Sequence, residues 1–144
     1  MDGAAQDQQT MEFTIPSTRE SIRDTQDQIM NKVQECCFSE DDIFAIRLSL
    51  QEALANALNH GNKNDSSKKI HVIASVTSSS CDITVEDEGR GFTREQIPDC
   101  RLDENLQKDN GRGLLLIESY MDRVEYSEGG RRVHMIKHRQ NGVH

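Results

Sequence analysis

Residues 42–61, DIFAIRLSLQEALANALNHG, constrain this chain more than any other stretch. Ile43, Ile46, Leu50, Leu54 and Ala57 recur at steps of three and four, the spacing of an amphipathic helix with a core-facing stripe. Ser39 stands at the N-cap position, Asp41 and Asp42 lie near the positive end of the helix dipole, and Gly61 falls where a left-handed C-cap is expected. The polar residues are the unusual part. Glu52, Asn56 and either Asn59 or His60 lie one turn apart on a single face, on the half of the helix otherwise rich in Ala and Leu. A carboxylate and an amide on a half-buried helix cost desolvation unless something pairs with them. A hydrated divalent cation with a phosphate would serve, and so would a neighbouring strand. The pair alone does not choose between them.

Composition narrows the field. A chain of 144 residues is expected to be one domain with a proper core. We expect a disordered tail over residues 1–9, the domain over 10–139 and a short tail over 140–144. With 25 acidic against 17 basic side chains and a net charge of −8, there is no basic surplus to displace counterions from nucleic acid. No apolar run reaches the length of a membrane span, and no signal-peptide pattern opens the chain. Cys36, Cys37, Cys81 and Cys100 form no C-x-x-C pair and have no His cluster beside them. Neither a zinc site nor a disulfide framework is signalled, and reduced thiols in a cytoplasmic protein are the expectation.

Taken in order, Met11, Phe13 and Ile15 alternate as a short strand ended by Pro16. Ser17-Thr18-Arg19-Glu20 has capping-box spacing and opens a helix through about Cys37, with a thin apolar face of Ile22, Ile29, Val33 and Cys37. Residues 62–69 read as a plain polar loop. Ile70 to Val76 and Cys81 to Val85 alternate on either side of a serine-rich turn, an antiparallel hairpin. The second strand ends in Asp87-Glu88-Gly89-Arg90-Gly91-Phe92, where two glycines let the backbone turn sharply and a flat ligand approach. An acidic turn accounts for the same residues, and the spacing of an EF-hand is missing. Residues 93–110 show no periodicity and read as a lid, a binding loop or a disordered connection. Asn110-Gly111-Arg112-Gly113 then opens a buried helix, Leu114 to Met121, whose free N–H groups suit a phosphate, or whose glycines simply permit tight packing. Val124 and Tyr126 suggest a strand, Glu128 to Gly130 a turn, and Val133 to Ile136 a last strand. Arg131, Arg132, Lys137 and Arg139 read as charges guarding an exposed sheet edge.

The order and spacing of these pieces are more specific than any one of them. The segments EALANALNHGN, VEDEGRGF and NGRGLLLIESYMDRVEY resemble the N, G1 and G2 boxes of the GHKL ATP-binding superfamily, the Bergerat fold. Within it they look like the anti-sigma-factor serine/threonine kinases of bacterial partner-switching systems, and the likeness covers residues 10–138. The resemblance implies an α+β two-layer sandwich: a mixed, mainly antiparallel sheet of four or five strands with three helices on one face. It implies ATP and Mg²⁺ as cofactors. Glu52 takes the place of the catalytic carboxylate that acts as general base or orients the attacking group, and Asn56 that of the Mg²⁺ ligand. Asn59 and His60 fall near the phosphates, and Asp87 takes the place of the carboxylate that receives the adenine amino group. Gly89, Gly91 and Phe92 border the nucleotide. Lys108, Asn110, Gly111, Arg112, Gly113 and Leu114 belong to the lid and the segment closing over the phosphates.

Two positions depart from the family pattern. Gly130 is followed by Arg131 rather than Thr, and Asp109 and Asn110 stand where kinases of the subgroup often carry a basic lid residue, with Lys108 and Arg112 on either side. The function implied is an ATP-dependent anti-sigma factor that binds a sigma factor and phosphorylates a STAS-domain antagonist on Ser or Thr, as a homodimer and without direct contact to nucleic acid or membrane. The alternatives are a non-catalytic nucleotide-binding anti-sigma module, a regulatory unit of another signalling system, and a simple ATP hydrolase.

Overall fold

The alternating stretches pair as neighbours in the computed structural model, which describes residues 9–36, 38–89 and 117–139. Strand β1 (Gln9–Pro16) runs antiparallel to β2 (Lys69–Val76), which forms the predicted hairpin with β3 (Ser80–Glu86). Two further strands, β4 (Arg123–Ser127) and β5 (Arg132–His138), complete a five-stranded sheet of order β1-β2-β3-β5-β4. The expected sheet was mainly antiparallel with room for a mixed pairing. Every described pairing is antiparallel.

Side-chain alternation sorts the sheet into two faces. Ile70, Val72, Ala74, Val76, Cys81, Ile83, Val85, Val133 and Met135 point to one side and are buried. On that side lie α1 (Arg19–Glu35), α2 (Glu40–Asn56) and the helical residues 117–120, which supply Ile29, Val33, Ile46, Leu50, Leu54 and Ile117 to the same core. The opposite face carries His71, Ile73, Ser75, Asp82, Thr84, Glu86, Arg132 and His134, all partly exposed. One face of helices on one antiparallel sheet is the two-layer arrangement expected. Burial pushes the Cys81 thiol up to about 12, so this cysteine is a core side chain and no nucleophile.

Three local expectations change. Thr18, not Ser17, caps α1, its hydroxyl accepting from the Ser21 N–H at 3.2 Å. Ser39 caps α2 as expected, accepting from the Asp42 N–H at 3.0 Å. Asp42, however, is fully buried, and its carboxylate lies 4.0 Å from the Lys137 ammonium. Lys137 is therefore no edge guard. Strand β5 sits inside the sheet between β3 and β4, and the Lys137 Nζ turns toward the helices, donating to the Tyr120 carbonyl at 3.2 Å. Finally, α2 does not end on a left-handed Gly61. It passes into a π-helical turn, Ala57–Gly61, and the positive φ angles fall on Lys63 and Asn64.

The calls that fall on residues 1–8, on Cys37 and on residues 140–144 lie outside the described residues.

Candidate functional site

Two polar clusters sit at the C-terminal end of α2 and beyond it. The first is on the helix itself. Glu52 and Asn56 are both partly buried and one turn apart. The Asn56 Nδ2 is shielded from water and has no hydrogen-bond partner among the described residues. A buried amide left unsatisfied costs about 1–3 kcal/mol, and in native proteins such an atom calls for an explanation, a water, an ion or a ligand among them. Of the two completions open for this amide, a neighbouring strand supplies no partner to Nδ2 among the described residues. Asn59 and His60 follow on the π turn and are exposed.

The second cluster is formed where the end of that turn meets the loop after β3. A Cβ added to Gly61 would overlap the Asp87 carboxylate, and one added to Gly89 would overlap the Gly61 carbonyl. Gly61 is needed for this close approach and not for a positive φ. The contact brings the end of the N-box segment against the Asp-x-Gly loop, two pieces of chain that the sequence kept apart. Asp87 is buried, and its backbone N–H donates to the Arg131 carbonyl at 3.0 Å. Arg131 stands where the resembled family has Thr, and here it serves Asp87 through its backbone. The Asp87 Oδ1 accepts from the Gly89 N–H at 2.7 Å, and no described group donates to Oδ2. Burial raises the Asp87 pKa above 3.8, against the lowering effects of the Gly89 N–H and then of the Arg131 charge. A buried carboxylate with one oxygen unengaged is an acceptor suited to an amino group on a flat ring.

Asn62 was passed over in the sequence as part of a plain loop. It is fully buried. Its Nδ2 donates to Ser17 Oγ at 2.8 Å and to the Lys69 carbonyl at 2.9 Å, while its Oδ1 accepts from the Glu88 N–H at 2.8 Å. Glu88 is tied a second time, its Oε1 accepting from the Lys69 N–H at 2.9 Å. That bond first, and His71 after it, hold the Glu88 carboxyl below its ordinary range. The π turn explains the burial of Asn62. Its N–H reaches back five residues to the Ala57 carbonyl at 2.8 Å, and the wider turn swings its side chain inward. The only local signal was an asparagine directly after Gly61.

Gly91, Phe92, the lid residues 93–109 with Lys108, and Asn110, Gly111, Arg112, Gly113 and Leu114 lie outside the described residues. Among the described residues no three His, Cys, Asp or Glu side chains are grouped to hold a metal. No described helix is long and apolar enough to cross a membrane. An open depression bounded by Thr84, Glu125, Ser127, Arg132 and His134 shares no residue with either polar cluster.

Comparison with known proteins bears on this geometry. The profile of the histidine kinase-like ATPase domain matches residues 15–137. The serine-protein kinase RsbW of Staphylococcus aureus is 28% identical over 136 residues, covering 89% of this chain and 86% of that protein. The RsbW of Staphylococcus epidermidis is 28% identical over 139 residues, covering 91% and 87%. A Mycobacterium tuberculosis protein, solved as a crystal structure of its RsbU and RsbW domains, superposes with a TM-score of 0.61 at 19% identity. That match covers 92% of this chain and 32% of the solved one, and it shows the shared fold.

Proposed function

The chain belongs to the family of histidine kinase-like ATPase domains, and on that premise we propose that it binds Mg·ATP and transfers the γ-phosphoryl group to a serine or threonine of a STAS-domain antagonist protein. The observation that supports this reading is a buried Asn56 Nδ2 with no partner among the described residues, in the same fold as a buried Asp87 carboxylate whose Oδ2 no described group engages. Asp87 would receive the adenine amino group, while Gly61 and Gly89 let the turn after α2 and the loop after β3 come close enough to hold that carboxylate in place. Gly91 and Phe92 would border the base, and Lys108, Asn110, Gly111, Arg112, Gly113 and Leu114 would close over the phosphates, with Asn59 and His60 near them.

Asn56 would offer its Oδ1 to Mg²⁺, which keeps several waters, takes phosphate oxygens and needs as little as one protein oxygen. Its Nδ2, a donor that no cation takes and that has no partner among the described residues, would face a phosphate oxygen. When bound, the cation neutralises charge on the transferring phosphates. Glu52, one turn from Asn56, would accept the proton of the attacking hydroxyl or orient it. The remaining work is positioning, which phosphoryl transfer chiefly requires. As the name of the staphylococcal relatives suggests, the substrate would be a protein serine. The family reading adds a sigma factor held by the same chain, homodimer formation and a cytoplasmic location.

The test is incubation with labelled ATP, Mg²⁺ and the STAS-domain protein encoded nearby. Phosphoserine or phosphothreonine on the antagonist is the result expected. ATP loss without phosphoprotein would make the chain a hydrolase, and ATP binding with neither would leave it a nucleotide-binding module.

A further inference from the structure

We infer that Asn62 is a positioning residue for base recognition: through the Glu88 N–H it sets the loop that carries Asp87. The inference rests on the reading of Asp87 as the adenine acceptor. The loop leaves β3 at Glu86 and reaches Gly89 through an exposed Glu88. Left to itself such a loop samples many orientations. Asn62 removes that freedom from inside the protein. Its Nδ2 spans the β1–α1 junction at Ser17 and the start of β2 at Lys69, and its Oδ1 holds the Glu88 N–H. Ser17 is itself fixed, donating to the Lys68 carbonyl at 2.8 Å.

The side-chain chemistry is specific. Only an amide offers two donors and an acceptor at this length; aspartate would lack the donors, and serine would fall short of Glu88. With its donors and acceptor engaged at 0% exposure, Asn62 is rigid. Its link to Glu88 is adjacent in the chain to Asp87, whose own N–H is held by the Arg131 carbonyl. The carboxylate is therefore aimed from both sides before any ligand arrives. A preset acceptor favours adenine, which presents an amino group, over guanine, which presents a carbonyl at the same edge.

Asn62→Ala, Ser17→Ala and Asp87→Asn, each in the full chain, would be titrated calorimetrically with Mg·ATP, Mg·GTP and Mg·tripolyphosphate. The wild type is expected to prefer ATP. Asn62→Ala should lower ATP affinity about tenfold, the effect of one well-placed hydrogen bond, and narrow the ATP-to-GTP ratio, with tripolyphosphate affinity unchanged. Ser17→Ala, which leaves the Asn62 bonds to the Lys69 carbonyl and the Glu88 N–H in place, should lower the melting temperature and keep the ratio. An Asn62→Ala variant with the wild-type ratio, while Asp87→Asn loses it, overturns the inference alone. A wild type that binds no nucleotide, or fails to prefer ATP, overturns the reading of Asp87 and the inference with it.

Should Asn62→Ala fail to fold, hydrogen exchange on the wild type decides. Adenosine should slow exchange of the Asn62 side-chain amide protons and tripolyphosphate should not. Equal responses to the two ligands contradict the coupling.

Discussion

Asn56 and Asn62 stand six residues apart on one continuous run of helix and loop, and the protein treats them in opposite ways. Asn62 is wholly buried with both its donor and its acceptor functions satisfied. Asn56 has a buried Nδ2 with no partner among the described residues. The same amide is a finished structural joint in one place and an unfilled socket in the other. On the proposed reading, the contrast teaches how the site would divide: the corner around Asp87 is built in advance, while the helix face at Glu52 and Asn56 would be left for a ligand to complete.

The sharpest way to break this division is to remove Asn56. Asn56→Ala is expected to abolish Mg-dependent nucleotide binding and change folding stability by less than about 1 kcal/mol, since no hydrogen bond of the free protein is lost. Calorimetry giving unchanged Mg·ATP affinity would remove Asn56 from the site. Glu52→Gln should keep ATP binding and slow phosphoryl transfer by about 10²–10⁴-fold, the usual worth of a general base. Full labelling of the antagonist by that variant would deny Glu52 the role.

Effects at the other corner should be smaller and mixed in sign. Asp87→Asn is expected to weaken ATP binding about tenfold or more, as for a hydrogen bond to a charged group, while leaving neutral-pH stability equal or higher. The sign follows from burial. The folded Asp87 pKa is raised above 3.8, so its contribution to stability is full below that value and is lost as pH rises through the raised folded value. Asparagine, neutral throughout, escapes that loss. The stability advantage of the variant should shrink on acidification, and thermal melts against pH would show the opposite trend if the carboxylate were stabilised by its surroundings. Gly61→Ala should cost about 1–3 kcal/mol, the range of overpacking, because its Cβ enters the space of the Asp87 carboxylate. A melting temperature equal to the wild type would mean the two segments do not touch.

What the sequence disclosed follows the same local-against-distant line. The strands were legible from alternation, and Glu52, Asn56 and Asp87 were singled out as candidates by the order of three short motifs. Gly61 was noticed for the wrong reason, because its true constraint is Asp87, distant in the chain. Lys137 was placed on an edge because strand order is not a local property: β5 inserts between β3 and β4. Asn62 was hidden by the polar loop around it, since neither the π turn nor the backbone groups it reaches leave a periodic trace. The family match, residues 15–137, spans all three motifs.

The central claim is that one nucleotide engages both corners at once. An amide NMR titration of the wild type with Mg·ATP tests it directly. The account predicts that the Asn56 side-chain amide and the backbone amides of Gly61 and Gly89 shift together, along a single saturation curve. Shifts confined to one corner, or curves that saturate at different concentrations, would contradict it.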